Sequence, residues 1–226
     1  EVGRLLEVLD SQDEGLTSWA WSLIDVLLGK GLMTREGAEK LLELLKSRYK
    51  EVRENAWSRV KYLLDWGLVT REDIRQLLEP LESQDLEVRL DAWYGLTYLM
   101  IALTEKGIIT LEEVRDRKGR FLELLESPRK DLSSLAWSRV KHFLELGIMT
   151  PEEVRERVQH LFGMLVSPDR DVRFEAWESV MNLADLGLLT RDDLRQLLEI
   201  LKPKYEGASP GELPEGLDAW LATLDA

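Results

Sequence analysis

The chain contains no cysteine, which excludes disulfide bonds, thiolate metal ligands and cysteine nucleophiles. Its only histidines, His142 and His160, lack the His-x-x-x-His or Glu-x-x-His spacing of a helical metal site. A glycine-rich phosphate loop and a serine nucleophile elbow are missing as well. We therefore expect no metal, no cofactor and no catalytic activity.

Long apolar runs are also missing. No stretch approaches the roughly 18 apolar residues that mark a membrane span, and the N-terminus lacks a signal-peptide pattern. We therefore expect a soluble, cytoplasmic protein without a membrane partner. The chain opens at Glu1 inside an apparent helix, a pattern typical of a chain whose upstream segment is missing.

Positive charge is in short supply. Lysine and arginine number 30 against 43 aspartates and glutamates, giving a formal net charge of −13. Such a charge keeps a protein soluble and repels nucleic-acid phosphates and anionic lipids. Asparagine occurs only at Asn55 and Asn182 and 32% of residues are charged, a composition typical of heat-adapted proteins. Hydrophobic residues reach 44%, which is enough for a folded core.

The dominant feature that is present is a repeat. An Ala-Trp pair recurs at 20–21, 56–57, 92–93, 136–137 and 176–177. A Gly-apolar-apolar-Thr tetrad recurs at 31–34, 67–70, 107–110, 147–150 and 187–190. Because the tetrads are spaced by 36 or 40 residues, the sequence predicts an all-α solenoid of about five antiparallel helix pairs.

Each tetrad predicts a joint between two helices. Its glycine suits the left-handed position just past a helix end, and its threonine suits the N-cap of the next helix. An acidic residue three positions later completes a capping box in all copies but the first, where Gly37 stands instead. The predicted boxes are Thr70–Asp73, Thr110–Glu113, Thr150–Glu153 and Thr190–Asp193. We accordingly interpret acidic pairs such as Glu112 and Glu113 as helix caps and not as catalytic carboxylates.

Between joints, apolar periodicity predicts a first helix, a short polar break and a second helix that carries the Ala-Trp pair. Differences in spacing amount to four residues, close to one helical turn, so they predict lengthened helices. We expect one domain over 1–226, and we number its repeats 1 to 6 over 1–33, 34–69, 70–109, 110–149, 150–189 and 190–226. Residues 202–216 are predicted to form a connector and 217–226 a C-terminal cap.

Two of the repeats carry a recognisable signature. Asp85-x-x-Val88-Arg89-x-x-Ala92 and Asp169-x-x-Val172-Arg173-x-x-Ala176 resemble the core of HEAT and HEAT-like repeats. The resemblance covers 1–201 as an architecture. It implies a right-handed α-α superhelix, second helices that line a concave face, polar Asp/Arg ladders between repeats, and binding of another macromolecule.

The tryptophans of repeats 1 to 5 fall into two groups. The five in the Ala-Trp pairs of these repeats lie on the apolar stripe of the second helices, so we expect them to fill the interfaces between repeats. Trp19 and Trp66 fall outside this register and are predicted to be partly exposed.

The opposite face of the second helices carries the candidate binding residues. Positions one, four and five after each internal tryptophan combine aromatic and cationic side chains, as interaction surfaces do. The candidate partner-binding residues are Arg59, Lys61, Tyr62, Tyr94, Tyr98, Arg139, Lys141, His142 and Asn182. Tyr94 and Tyr98 are the expected centre. An ordinary solvated helix face is the alternative interpretation.

Three functions remain open at this stage. The first is a non-catalytic scaffold for a protein or peptide, with an acidic or aromatic-bearing segment as the best match. The second is nucleic-acid binding or base excision, because some HEAT-like folds resemble DNA glycosylases; the small basic set of Arg59, Lys61, Arg139 and Lys141 and the net charge disfavour it. The third is self-association through an apolar end of the stack. We take the first as the main prediction.

Overall fold

A computed structural model describes residues 8–9 and 14–205, and this part of the chain is helical without a strand. It divides into an N-terminal unit up to Leu122 and a C-terminal unit from Glu123. The helices are α1 Glu14–Gly29, α2 Arg35–Glu43, α3 Lys50–Asp65, α4 Ile74–Leu78, α5 Leu86–Glu105, α6 Leu111–Arg115, α7 Lys118–Leu125, α8 Lys130–Trp137, α9 Val140–Glu145, α10 Pro151–Arg155, α11 Val158–Met164, α12 Arg170–Asp185 and α13 Arg191–Tyr205. The predicted all-α fold of repeated helices is confirmed.

The joints have the predicted chemistry. All five joint glycines adopt a left-handed backbone, with φ between 64° and 68°. At the second joint the Leu68 amide donates to the Leu63 carbonyl at 2.8 Å and the Gly67 amide to the Leu64 carbonyl at 3.1 Å, which closes the end of α3 as a Schellman motif. The four predicted capping boxes are present, and Thr34 caps α2 through the Gly37 amide alone.

Successive repeats pack helix against helix within each unit. In the N-terminal unit α3 lies between α1 and α5, and α2 packs on α4; in the C-terminal unit α12 packs on α8 and α11. The five tryptophans of the Ala-Trp pairs in repeats 1 to 5 are buried in these interfaces, as predicted. Trp19 and Trp66 are exposed, which confirms that they lie outside the core register.

The spacing differences have two structural outcomes. In repeat 3 the prediction of a longer helix is confirmed, because α5 has 20 residues where α1, α3 and α12 have 16. In repeats 4 and 5 a simple lengthening is wrong, because the first helix is interrupted at 116–117 and at 156–157. At the first interruption the Arg117 amide donates to the Val114 carbonyl, and the Arg117 guanidinium donates to the Glu113 carbonyl at 2.7 Å. At the second interruption the Arg157 guanidinium donates to the Glu153 carbonyl at 2.9 Å.

The ends of the array are only partly described. The expected first helix over 1–10 lies outside the described residues apart from Val8 and Leu9, of which Leu9 is buried. At the other end α13 continues to Tyr205, so the predicted connector does not begin at 202. Pro203 lies in the last turn, so its missing N–H and the crowding by its ring affect only the end of the helix. Residues 206–216 and the predicted cap over 217–226 lie outside the described residues.

Ion pairs join neighbouring first helices along the joints of the N-terminal unit. Arg35 donates to both carboxylate oxygens of Asp73, at 2.7 and 2.6 Å, and Arg71 donates to Glu113 at 2.7 Å. Burial raises the pKa of Asp73, but hydrogen bonds from Arg35 and Thr70 outweigh it and hold that pKa below its ordinary value. Each carboxylate therefore closes its own capping box and also ties its repeat to the preceding one.

The Asp and Arg of the HEAT-like signature act mainly within their own repeat. Asp85 caps α5 by accepting from the Glu87 amide at 2.9 Å, and Arg89 donates to the Ser83 carbonyl at 2.8 Å. Asp169 and Arg173 make the same two bonds around α12. These residues fix the turn that leads into the second helix.

Candidate interaction surface

The described second helices of repeats 1 to 3 present one exposed position in common. Five residues after their buried tryptophans stand Val26, Tyr62 and Tyr98, all exposed, on the three adjacent helices α1, α3 and α5. Tyr98 is the most open of them, with 70% of its surface accessible. Because burial would stabilise such rings by a few kcal/mol, their exposure in one register is a feature to be explained.

Further aromatic and apolar side chains extend this position into a patch. On α5, Tyr94, Tyr98 and Ile101 follow one another at helical spacing, and the two tyrosine rings lie 6.2 Å apart at a tilt of 57°. On α3 and its C-cap, Tyr62 and Trp66 are likewise one turn apart, and both are about half exposed. We call Tyr62, Trp66, Tyr94, Tyr98 and Ile101 the tyrosine patch. It lies entirely within the N-terminal unit.

Trp66 also closes the gap to repeat 1. Its indole lies over Gly31, so close that a β-carbon there would fall 2.9 Å from the ring. The left-handed backbone of Gly31 and this close approach both require glycine. The indole is thereby held against the first joint while about half of its residue's surface stays exposed.

Arg59 is a structural residue in this surface. It donates to both carboxylate oxygens of Asp25 at 2.7 Å, and its guanidinium lies 4.4 Å from the centre of the Trp21 ring. It also donates to the Asn55 carbonyl at 2.9 Å. With only 11% of its side chain exposed, Arg59 ties repeat 2 to repeat 1 and has little capacity left for a partner.

Other cations around the patch are available. Among the described residues of the N-terminal unit, the cationic side chains that make no ion pair, hydrogen bond or ring contact are Lys30, Lys61, Arg75 and Lys106. Lys61 is next to Tyr62 in the sequence. Lys30 and Lys106 directly precede the joint glycines of repeats 1 and 3, as Trp66 directly precedes that of repeat 2. All but Arg75 therefore border the tyrosine patch.

Lys61 and Tyr98 occupy positions that are in contact elsewhere in the chain. In the C-terminal unit Lys141 donates through Nζ to Oδ1 of Asn182 at 3.4 Å. These two residues hold the same positions in repeats 4 and 5 that Lys61 and Tyr98 hold in repeats 2 and 3. By this register Lys61 and Tyr98 lie at corresponding positions on the adjacent helices α3 and α5, although α3 is continuous where the helix of repeat 4 is interrupted before Lys141.

The remaining candidates lie in the C-terminal unit and are half-buried. His142 has Nδ1 3.7 Å from a carboxylate oxygen of Glu145 one turn on. Arg139 occupies the interruption between α8 and α9 and faces Glu175, whose pKa is raised by burial although the Arg139 charge opposes the rise. The structure brings Lys141 and Asn182 together there, and no exposed aromatic of the described residues adjoins them.

Among the described residues, no cluster of three or more histidines or carboxylates is placed to hold a metal ion. The joint carboxylates are engaged in capping boxes. In the same part of the chain, no helix is both long and apolar enough to cross a membrane.

The sequence prediction missed part of the surface. Trp66 was expected to be exposed but was not named as a binding residue. Its position one turn after Tyr62 would have been enough to assign it to the patch. Ile101 could have been found from the longer helix of repeat 3, which extends the stripe of Tyr94 and Tyr98. Lys30 and Lys106 could not be identified as free cations from the sequence, because only the structure shows which lysines have a partner.

Comparison with known proteins adds little. No family model matches the chain, and no curated protein matches it. A crystal structure of computationally designed armadillo repeat proteins for modular peptide recognition is similar at 15% sequence identity, over 88% of each chain, with a TM-score of 0.40. At that TM-score the likeness supports no conclusion about this chain.

Proposed function

We propose that the protein is a non-catalytic helical-repeat scaffold that binds a protein or peptide through the exposed face of its second helices. The observation that carries the proposal is the tyrosine patch, a set of exposed aromatic and apolar side chains on adjacent helices with the partly buried Tyr94 beside Tyr98. Exposed apolar patches of this kind mark interaction sites, and tyrosine and tryptophan are enriched among the side chains that dominate binding.

The repeats are, in this proposal, of the HEAT type. Asp85 and Asp169 stand at the turn into the second helix with Arg89 and Arg173 one turn later, as the signature requires. In HEAT arrays the second helices line the concave surface, so the tyrosine patch would belong to a concave wall. Action in the cytoplasm is part of the same proposal.

Nucleic acid is not the proposed ligand. Of the cations that would form a basic stripe, Arg59 is neutralised by Asp25, and Lys141 contacts Asn182. A net charge of −13 also opposes a phosphate backbone. No observation favours this function over protein binding.

Affinity capture from a native lysate tests the proposal. The patch variant Lys61→Glu/Tyr98→Ala is compared with the wild type and with Arg75→Glu/Phe174→Ala, which alters a free cation and an exposed aromatic outside the patch. We expect proteins that are retained by the wild type and by the control variant and lost by the patch variant. Each variant must first match the wild type in helicity and melting temperature.

Other results of the capture contradict the proposal in different ways. Recovery of nucleic acid that is lost when salt is raised would replace protein binding with phosphate binding. Partners that are held equally by all three chains would move the site away from the tyrosine patch. If nothing is retained, the chain is not a scaffold under these conditions and the function proposed here is wrong.

A further inference from the structure

The charges around the tyrosine patch differ in sign from those of the rest of the chain. Overall, acidic residues outnumber basic ones by 43 to 30. Around the patch, among the described residues, the free ionic groups are the three lysines Lys30, Lys61 and Lys106 against the two carboxylates Asp65 and Glu105. Asp25, the other nearby acid, is neutralised by Arg59. The patch is therefore one place where an acidic chain offers unpaired positive charge.

We propose that the occupant of the tyrosine patch is a peptide segment that combines carboxylates with large apolar side chains. This rests on the proposed function and adds the chemical class of the partner. Apolar side chains of the segment would cover Tyr62, Tyr98 and Ile101, and its carboxylates would pair with the bordering lysines. A basic segment would instead bring like charges beside those lysines, which is unfavourable.

The central contacts of this mode are made with Lys61 and Tyr98. Lys61 carries an ammonium without a partner in the described residues on α3, and Tyr98 is exposed on the adjacent helix α5, so one segment that holds a carboxylate beside an apolar group would meet both. A charged hydrogen bond of this kind gains strength when neighbouring aromatic rings exclude water. Tyr94 and Tyr98 form that apolar side already, in contact with each other.

The net charge of the whole chain does not prevent this binding. At physiological ionic strength the Debye length is about 8 Å, so carboxylates elsewhere on the surface are largely screened from a ligand on the patch. The lysines that border the patch act at contact distance and are screened much less. Long-range repulsion should therefore slow association at low salt without deciding which segment binds.

A phage-displayed library of random dodecapeptides, panned on the full chain, supplies defined probes. Enriched peptides are then synthesised, and their binding is measured by fluorescence anisotropy. We expect them to carry aspartate or glutamate beside phenylalanine, tryptophan or leucine. Their Kd should rise about tenfold or more with Tyr98→Ala and with Lys61→Glu, because truncating a central aromatic or reversing a contact charge removes a dominant contribution.

Matched variants separate the patch from surface effects in general. Phe174→Ala removes an aromatic that is 62% exposed on α12, and Arg75→Glu reverses a free cation on α4; both should leave the Kd unchanged within about twofold. A peptide with every carboxylate replaced by lysine should bind Lys61→Glu more tightly than it binds the wild type. That exchange of preference would show that charge at Lys61 selects the partner.

Several outcomes would overturn the inference. Three of them come from panning: basic peptides are enriched, no peptide is enriched, or the enriched peptides bind the Tyr98→Ala variant as tightly as the wild type. The fourth is dimerisation of the chain that Tyr98→Ala abolishes, because this would assign the patch to a second copy. If acidic or other peptides bind elsewhere on the chain, the scaffold function stands and only the site and class are wrong. If panning and lysate capture both give nothing, the scaffold function fails as well.

Discussion

The indole of Trp57 lies directly against Gly95 of the next repeat. A β-carbon built on Gly95 would fall 2.6 Å from Cε3 of the ring, and closer still to Cγ and Cδ2. Gly95 belongs to the middle of α5, where glycine otherwise weakens a helix. The close approach of a buried ring to the helix backbone explains why glycine stands there.

Gly95→Ala should therefore destabilise the protein. Alanine adds up to about 1 kcal/mol of helix propensity, but a methyl group that overlaps a packed ring costs about 1–3 kcal/mol. Trp57 is buried and cannot swing into solvent, so the clash outweighs the propensity. The measurement is the free energy of unfolding in urea.

Gly163→Ala is the matched control for this substitution. Gly163 also lies in a helix, α11, but a β-carbon there would have no atom within 4 Å. It should stabilise the protein by about 0.5–1 kcal/mol. The close packing of Trp57 would be disproved if both alanine variants raised stability alike.

Arg59 and its neighbour Lys61 should differ in how much stability they lose when arginine and lysine are exchanged. Arg59→Lys loses the paired bonds to Asp25 and the contact with the Trp21 ring, and should cost about 1 kcal/mol of stability. Lys61→Arg should change stability by less than about 0.5 kcal/mol, because Lys61 has no partner within the described residues. The measurement is the free energy of unfolding of both variants in urea, and equal losses of that free energy would refute the structural role of Arg59.

Much of the fold could be predicted because its signals are local. A left-handed glycine, a threonine cap and an acid three residues later lie within seven residues, so Gly67, Thr70 and Asp73 could be assigned from spacing alone. The buried face of each second helix follows equally from periodicity around its tryptophan. These signals do not depend on which repeat is the neighbour.

The free and engaged cations could not be separated in this way. The hexapeptide Ala-Trp-Ser-Arg-Val-Lys occurs at 56–61 and again at 136–141, yet the first copy is continuous helix and the second contains the interruption at 138–139. Arg59 meets an aspartate 34 residues earlier, whereas Arg139 faces Glu175, 36 residues later. Such partners depend on the packing of neighbouring repeats, which local periodicity does not specify.

The joint carboxylate of Glu113 should titrate far below an ordinary glutamate. The hydrogen bond from Arg71 is the main cause that lowers its pKa from 4.5 to about 2. A carboxyl whose pKa is lowered on folding stabilises the fold above its unfolded pKa. This contribution should therefore be complete above about pH 5 and be lost as the pH falls from 4.5 toward 2.

Carboxyl-detected NMR titration of Glu113 provides the measurement. Arg71→Met should move its midpoint up toward 4.5, and the loss of stability in acid should become shallower. Arg75→Met removes a nearby arginine without a partner within the described residues and should leave the midpoint in place. A wild-type midpoint near 4.5 would show that the pairing with Arg71 does not form in solution.

Arg53 and Asp91 form the most buried ion pair between the described second helices, and its removal should be costly and dependent on pH. Arg53, with 1% of its side chain exposed, donates to Asp91 at 2.7 Å and to the Ser47 carbonyl at 2.8 Å. Arg53→Met leaves a carboxylate buried without its cation, which costs about 3–5 kcal/mol.

Burial already raises the pKa of Asp91 while Arg53 opposes the rise, so Arg53→Met should raise the pKa of Asp91 further. Because a carboxyl with a raised folded pKa takes up a proton on folding, the loss should be largest near neutral pH and shrink as the pH falls through that pKa. Arg53→Met/Asp91→Leu, which removes both charges, should recover most of the stability at neutral pH, and a loss from Arg53→Met that is equal at every pH would show that the buried charge is not its cause.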